Sequence, residues 1–177
     1  MGKALRRSST LDENSAIITV SGFKDNLGEI LKVSPAALRL LGFTSKAQLV
    51  GQNINVIIPS PISEVHNQIL LRFRGKRKSS VVDQTRLLVV RRRDGSIAPA
   101  WLTIMEAPPH EVTCEPRFTA LLTSIQTTEN MILFGSPESD YAIYGASRGA
   151  LDLLHLDGDQ VRSEQPSLRN WFPTIHD

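Results

Sequence analysis

The 177-residue sequence predicts an α+β domain over residues 14–127: a five-stranded antiparallel sheet with short helices on one face. Three observations carry that expectation. Apolar, β-branched or alternating segments stand at both ends of the stretch, with helical patterns gathered between them. Asp94-Gly95 separates two long strand patterns, which is a tight-hairpin signal. Residues 131–156 then repeat the pattern of residues 17–43, so a second copy of the opening unit begins after the first domain.

The elements follow in order. Residues 1–13 are polar and basic and read as a disordered arm. Arg6-Arg7-Ser8-Ser9 within them is too common a tetrapeptide to count as a kinase site. Ala16–Val20 is β-branched and predicts a strand, and Gly28–Val33 predicts its neighbour. Ser34 is a good N-cap, with Pro35 at the first helical position and Gly42 as the stop, so a helix over 35–41 turns Ala37, Leu38 and Leu41 inward. Ser45 and Gln48 have capping-box spacing, which predicts a second short helix before Ile54–Ile58 and the Pro59-Ser60-Pro61 turn. Beyond that turn, Ile62, His66, Ile69 and Phe73 recur at helical spacing and place a lone histidine on an apolar stripe. Strands are predicted over Val81–Val90, Ala98–Met105 and Phe118–Gln126. Pro108–Pro116 is expected to be a loop.

In the repeat, Ser147 stands 113 residues after Ser34, and Pro173 stands 114 after Pro59. Residues 128–177 are therefore expected to start a second module, cut short before its own histidine helix and three long strands. Such a half-module would leave strand edges unpaired.

Composition narrows the function. Apolar content of 41% and charged content of 21% suit a globular fold. A net charge of +2 is too small to argue for nucleic acid as a partner. The single cysteine, Cys114, excludes an internal disulfide, and the four histidines come without the Cys-x-x-Cys spacing of a structural zinc site. Neither a membrane-spanning apolar run nor a signal-peptide core is present, and Arg6 breaks the N-myristoylation pattern that Met1-Gly2 begins. A cytoplasmic location is the expectation. Cys114 sits in a proline-flanked loop whose nearest base in sequence is His110, which does not make a reactive thiol. The basic clusters Arg72–Lys78 and Arg91–Arg93 read as a solvated loop and a solvated hairpin. Without a Gly-rich phosphate loop, a kinase signature or a nucleophile–base pattern, the sequence reads as no enzyme.

The helix ending Leu40-Leu41-Gly42-Phe43, the segment LVGQNINVIIP (49–59), the Arg91–Gly95 hairpin and the strand Trp101–Ile104, in this order, resemble a PAS domain. The resemblance covers most of residues 14–127. It implies a PAS fold, in which a concave antiparallel sheet and its helices enclose a ligand pocket or a plain core. It also implies a non-catalytic sensory and interaction role, a downstream effector domain or protein, and homodimer formation through PAS surfaces.

Within that family the chain is similar to the FixL-type haem domains and to the tiny-macrocyst-type PAS repeats. The FixL-type likeness implies haem b with His66 as its iron ligand, Arg72 near a propionate and Arg86 as the group responding to bound oxygen. It assigns Val81, Leu102 and Ile104 to the apolar gas-side wall. The chemistry is coherent, since neutral imidazole ligates iron and cations suit propionates. Ile69 departs from the aromatic usual after the histidine, and Ser80 stands where a second histidine can occur. Strict alternation would put Val81 and Arg86 on opposite faces, so the haem reading needs Val81 in a loop or beside a bulge. Flavin-photoadduct domains need a cysteine where Gln52–Pro59 stands, and none is there. Three readings stay open: a PAS sensory module, a haem oxygen sensor, and a ligand-free interaction repeat.

Overall fold

A computed structural model describes residues 15–74, 84–107, 116–173 and 175. The expectations for the 1–13 arm, for Val81 and for Cys114 lie outside these residues.

β1 (Ala16–Ser21) pairs antiparallel with β2 (Ile30–Val33), and helix α1 (Pro35–Leu41) follows at once. A single hydroxyl fixes this corner. Ser34 Oγ accepts from the N–H of Ile17 (2.9 Å) and of Ala37 (3.2 Å) and donates to the Ser15 carbonyl (2.8 Å). It caps the helix and ties it to β1 in one stroke. β2 starts two residues later than the sequence suggests. Gly28 belongs to the turn, donating to the Ser21 carbonyl, and Glu29 makes an isolated bridge to Asn53. The Ser45–Gln48 capping box forms, but around a 3-10 turn (Lys46–Gln48); a second 3-10 turn covers Ile54–Ile57. Helix α2 (Ile62–Arg74) follows the Pro59–Pro61 turn, whose Ser60-Pro61 peptide is cis.

β3 (Thr85–Arg91), β4 (Ile97–Ala107) and β5 (Arg117–Ser124) complete a five-stranded antiparallel sheet of order β2-β1-β5-β4-β3. Within the described residues the strand expected over Val81–Val90 runs from Thr85 to Arg91. Residues paired directly across strands share a face. Val20, Ile18, Ala16, Leu122, Ala100, Ala98 and Val90 point to the helix side, where Ile30, Leu41 and Leu49 are fully buried. Burying each such Leu or Ile is worth about 1.5–3 kcal/mol, so this layer is the main stabilising mass of the domain.

The remaining described chain builds a smaller core. β6 (Ile132–Phe134) pairs with β7 (Ile143–Ala146), followed by α3 (Arg148–Leu154), α4 (Gly158–Glu164) and a 3-10 turn, Leu168–Asn170. Ile143, Ala146, Leu151, Leu154 and Val161 are buried there. The hydrogen bonds of the first corner recur. Ser147 Oγ accepts from the N–H of Met131 (3.0 Å) and of Ala150 (3.4 Å), and the Ser147 N–H donates to the Met131 carbonyl (2.8 Å). The isolated antiparallel bridge Ala142–Ser167 matches Glu29–Asn53 in kind and spans one residue more. Asp157 and Gln160 form a capping box, as Ser45 and Gln48 do.

Candidate ligand site around His66

α2 rests on the first domain through a narrow strip. A Cβ placed on Gly28 would lie 3.2 Å from Leu70 Cδ1 and 3.3 Å from Asn67 Oδ1, so the helix seats against this turn. Asn55 Nδ2 donates to Asn67 Oδ1 at 3.4 Å, and Leu70 is buried. The buried face is therefore centred on Asn67 and Leu70. The expected stripe is displaced from it: Ile62 is 50% exposed, His66 and Ile69 are half-buried, and the Phe73 side chain is outside the described set. A helical residue turns by about 100°, so a seat at 67 and 70 leaves 62 on the flank.

His66 lies at the edge of that seat. Its Nδ1 is buried and has no hydrogen-bond partner among the described residues. Burial lowers its pKa, which favours the neutral imidazole. A buried ring nitrogen without a partner is the form of histidine that a metal or a ligand donor could engage.

The sheet register gathers three of the other candidates. Arg86 lies opposite Leu102, Leu102 opposite Leu122, and Leu122 opposite Ala16. Ile104, two residues on from Leu102, lies opposite Ala120. All of these share the inner face of the sheet. Arg86, Leu102 and Ile104 thus line one end of it, with Arg86 exposed and hydrogen-bonded to Gln84 and the two apolar residues half-buried. Arg72 is not brought to this row. It is exposed on α2, and two residues on from Leu70 it falls on the opposite side of the helix. Val81 lies outside the described residues. A cavity of about 480 Å³ lies elsewhere, lined by Arg39, Gly42, Arg92 and Arg93 among others.

A family model of the PAS fold matches residues 12–106. The chain belongs to the PAS family. Sensor protein FixL of Bradyrhizobium diazoefficiens is 33% identical to this PAS chain over 108 residues, which are 59% of this chain and 21% of that protein. A probable serine/threonine-protein kinase of Dictyostelium discoideum is 28% identical over 93 residues, covering 52% of this chain and 6% of that one. The chain thus spans about a fifth or less of the length of these relatives. The PAS domain of an HTR-like protein from Haloarcula marismortui superimposes with a TM-score of 0.46 at 20% identity, over 65% of this chain and 86% of that one. PAS domains are generally sensory, non-catalytic modules. Among the described residues no helix is long and apolar enough to cross a membrane.

One reading of the basic hairpin in this PAS domain needs correction. Arg91 is not a solvated hairpin residue: its guanidinium donates to the Val56 carbonyl (3.0 and 3.2 Å) and to the Asn55 carbonyl (3.2 Å). The Asn55 carbonyl also accepts from the Ile58 N–H at the end of the 3-10 turn, and a guanidinium fork reaches it and the Val56 carbonyl at once. Burial, and then the charge of Arg162, lower the Arg91 pKa. Nothing in the run Arg91-Arg92-Arg93 marks out the member that binds these carbonyls, because that depends on which carbonyls the fold brings alongside.

Proposed function

We propose that this chain is a non-enzymatic PAS sensory and regulatory module for signal transduction. A ligand or partner changes packing between α2 and the β3–β4 end of the sheet, and the change passes to a downstream effector domain or protein. The buried Nδ1 of His66, which has no hydrogen-bond partner among the described residues, is the observation that carries the reading. The common face of Arg86, Leu102 and Ile104 adds an apolar wall with one donor.

The sharper form is a b-type haem gas sensor of FixL type, and the residues present fit the group in part. His66 would hold the iron, Leu102 and Ile104 would exclude water, and Arg86 would offer a hydrogen-bond donor on the gas side. Arg72, exposed on the far side of α2, supports a propionate contact less well. Bound haem would supply reversible gas ligation. The chain's own part is to keep the imidazole neutral and to position the sheet wall. The visible spectrum after reconstitution with haem tests this: a sharp Soret band in the wild type, lost in His66→Ala, is expected. Wild-type protein with no Soret band would end the haem reading.

A second reading rests on a different observation. Leu87 and Trp101 lie directly opposite each other on the outer face of the sheet and are 60% and 44% exposed. That pair favours an interaction repeat that binds a partner or a second copy without any small ligand. For organisation, we propose a PAS domain over residues 14–127 and the start of a second PAS-like module over 128–177. The matched Ser34 and Ser147 corners and the two matched bridges support it.

A further inference from the structure

The turn between β3 and β4 does more than reverse the chain. Asp94 Oδ1 accepts from the Ser96 N–H (3.0 Å) and hydroxyl (2.6 Å), which fixes the turn, and Gly95 sits at φ +78°. The other carboxylate oxygen of Asp94 meets Arg148 Nη2, at the start of α3, at 2.7 Å. Gly95 lies against Gly158, the first residue of α4: a Cβ on either glycine would overlap the backbone of the other. Beside them, a Cβ on Gly145 of β7 would come within 2.6 Å of Ile97 Cγ2, so Ile97 lies flat on the β7 backbone. Ile97 is only 2% exposed, yet it belongs to neither hydrophobic core, and this contact with the second unit accounts for its burial. A gap of only about 10 Å³ remains where Ser60 and Arg91 face Tyr144 and Arg162, room for about one water molecule.

The position of this joint gives it meaning. β3 and β4 carry Arg86, Leu102 and Ile104 at one end and the Arg92–Ser96 turn at the other. Ser60, in the turn that leads into α2 and His66, borders the same joint. β3 is paired in register with β4 over its whole length, so the candidate site and the turn are joined by one hairpin.

We propose that the glycine-on-glycine contact between Gly95 and Gly158, flanked by the Asp94–Arg148 pair and by Ile97 on Gly145, is an output joint. The second unit docks or releases there according to the packing of β3, β4 and α2. The coupling half of this proposal rests on the reading of His66 and the β3–β4 inner face as a sensory site; the docking half does not.

Spin labels at two exposed positions, Lys24→Cys and Asp152→Cys in a Cys114→Ser background, report the distance between the units in the full chain. The wild type is expected to give one narrow distance distribution. Gly158→Ala, which suits the first turn of a helix but not the joint, is expected to broaden it toward longer distances, and Arg148→Glu to do so more weakly. A broad distribution in the wild type, or an unchanged one in both variants, overturns the joint. Coupling is then read without any ligand. Leu102→Trp and Ile104→Phe add bulk on the inner face of the sheet, with folding checked by circular dichroism. A shift in either folded variant supports coupling, and none in both overturns it. A haem titration showing no Soret band would remove the haem reading and leave these distances unaffected.

Discussion

His66 shows how one side chain links stability to acidity. Its pKa in the folded protein lies below the ordinary value of about 6.5, because burial disfavours the charged ring. Between the two values the unfolded chain holds more protons than the folded one, so acid favours unfolding. Stability from this source is complete above about pH 6.5 and falls as pH drops toward the lowered folded value; below that value there is no further loss. Urea midpoints measured from pH 7.5 to 5.5 should fall in the wild type and fall less in His66→Gln; equal slopes would contradict this account. The same lowering keeps the imidazole in the form that ligates metal, so the acid sensitivity and the candidate chemistry have one cause.

At the scale of the element, the serine corners and the helix ends decide most. Ser34→Ala removes a cap and leaves the Ser15 carbonyl and the Ile17 N–H without their partner, an expected loss of about 1–2 kcal/mol in urea unfolding. The two matched helices end differently. Gly42 closes α1 at φ 74°, where glycine carries no penalty, whereas His155 closes α3 at φ 54° with a side chain in the left-handed region. His155→Gly should therefore stabilise the second unit by about 1 kcal/mol, read as a raised urea midpoint. Much of this was legible in the sequence, because Ser34, Pro35 and Gly42 act locally and the Asp94-Gly95 turn follows from two residues. The orientation of α2 was not. Ile62, Ile69 and Phe73 form a good stripe, but the helix seats where Gly28 leaves room for Asn67 and Leu70, and that vacancy belongs to a distant turn. For the candidate site, the family resemblance singled out Arg86, Leu102 and Ile104; strand parity puts Leu102 and Ile104 on one face, but Arg86 joins them only through the β3–β4 register. The placement of Arg72 and the carbonyl contacts of Arg91 depend on tertiary neighbours that no local pattern carries.

At the scale of the whole molecule, the outer face of the sheet offers a surface for association. Leu87 and Trp101 are paired and exposed there, so Leu87→Lys should cost the fold less than about 0.5 kcal/mol. If copies of this chain pair through that face, the same change should shift the sedimentation coefficient of the wild-type dimer to that of a monomer; an unchanged value would place any pairing elsewhere.

The strand order also bears on how the chain acquires its structure. β1 precedes the other strands of its sheet in the chain, yet it lies inside that sheet, and its Thr19 hydroxyl meets that of Thr119, one hundred residues away. Closing so long a loop must precede any gain from the pairing. During synthesis the larger core therefore waits for β5 to leave the ribosome. The smaller one, drawn from contacts within a few dozen residues, can assemble as soon as its own chain is released.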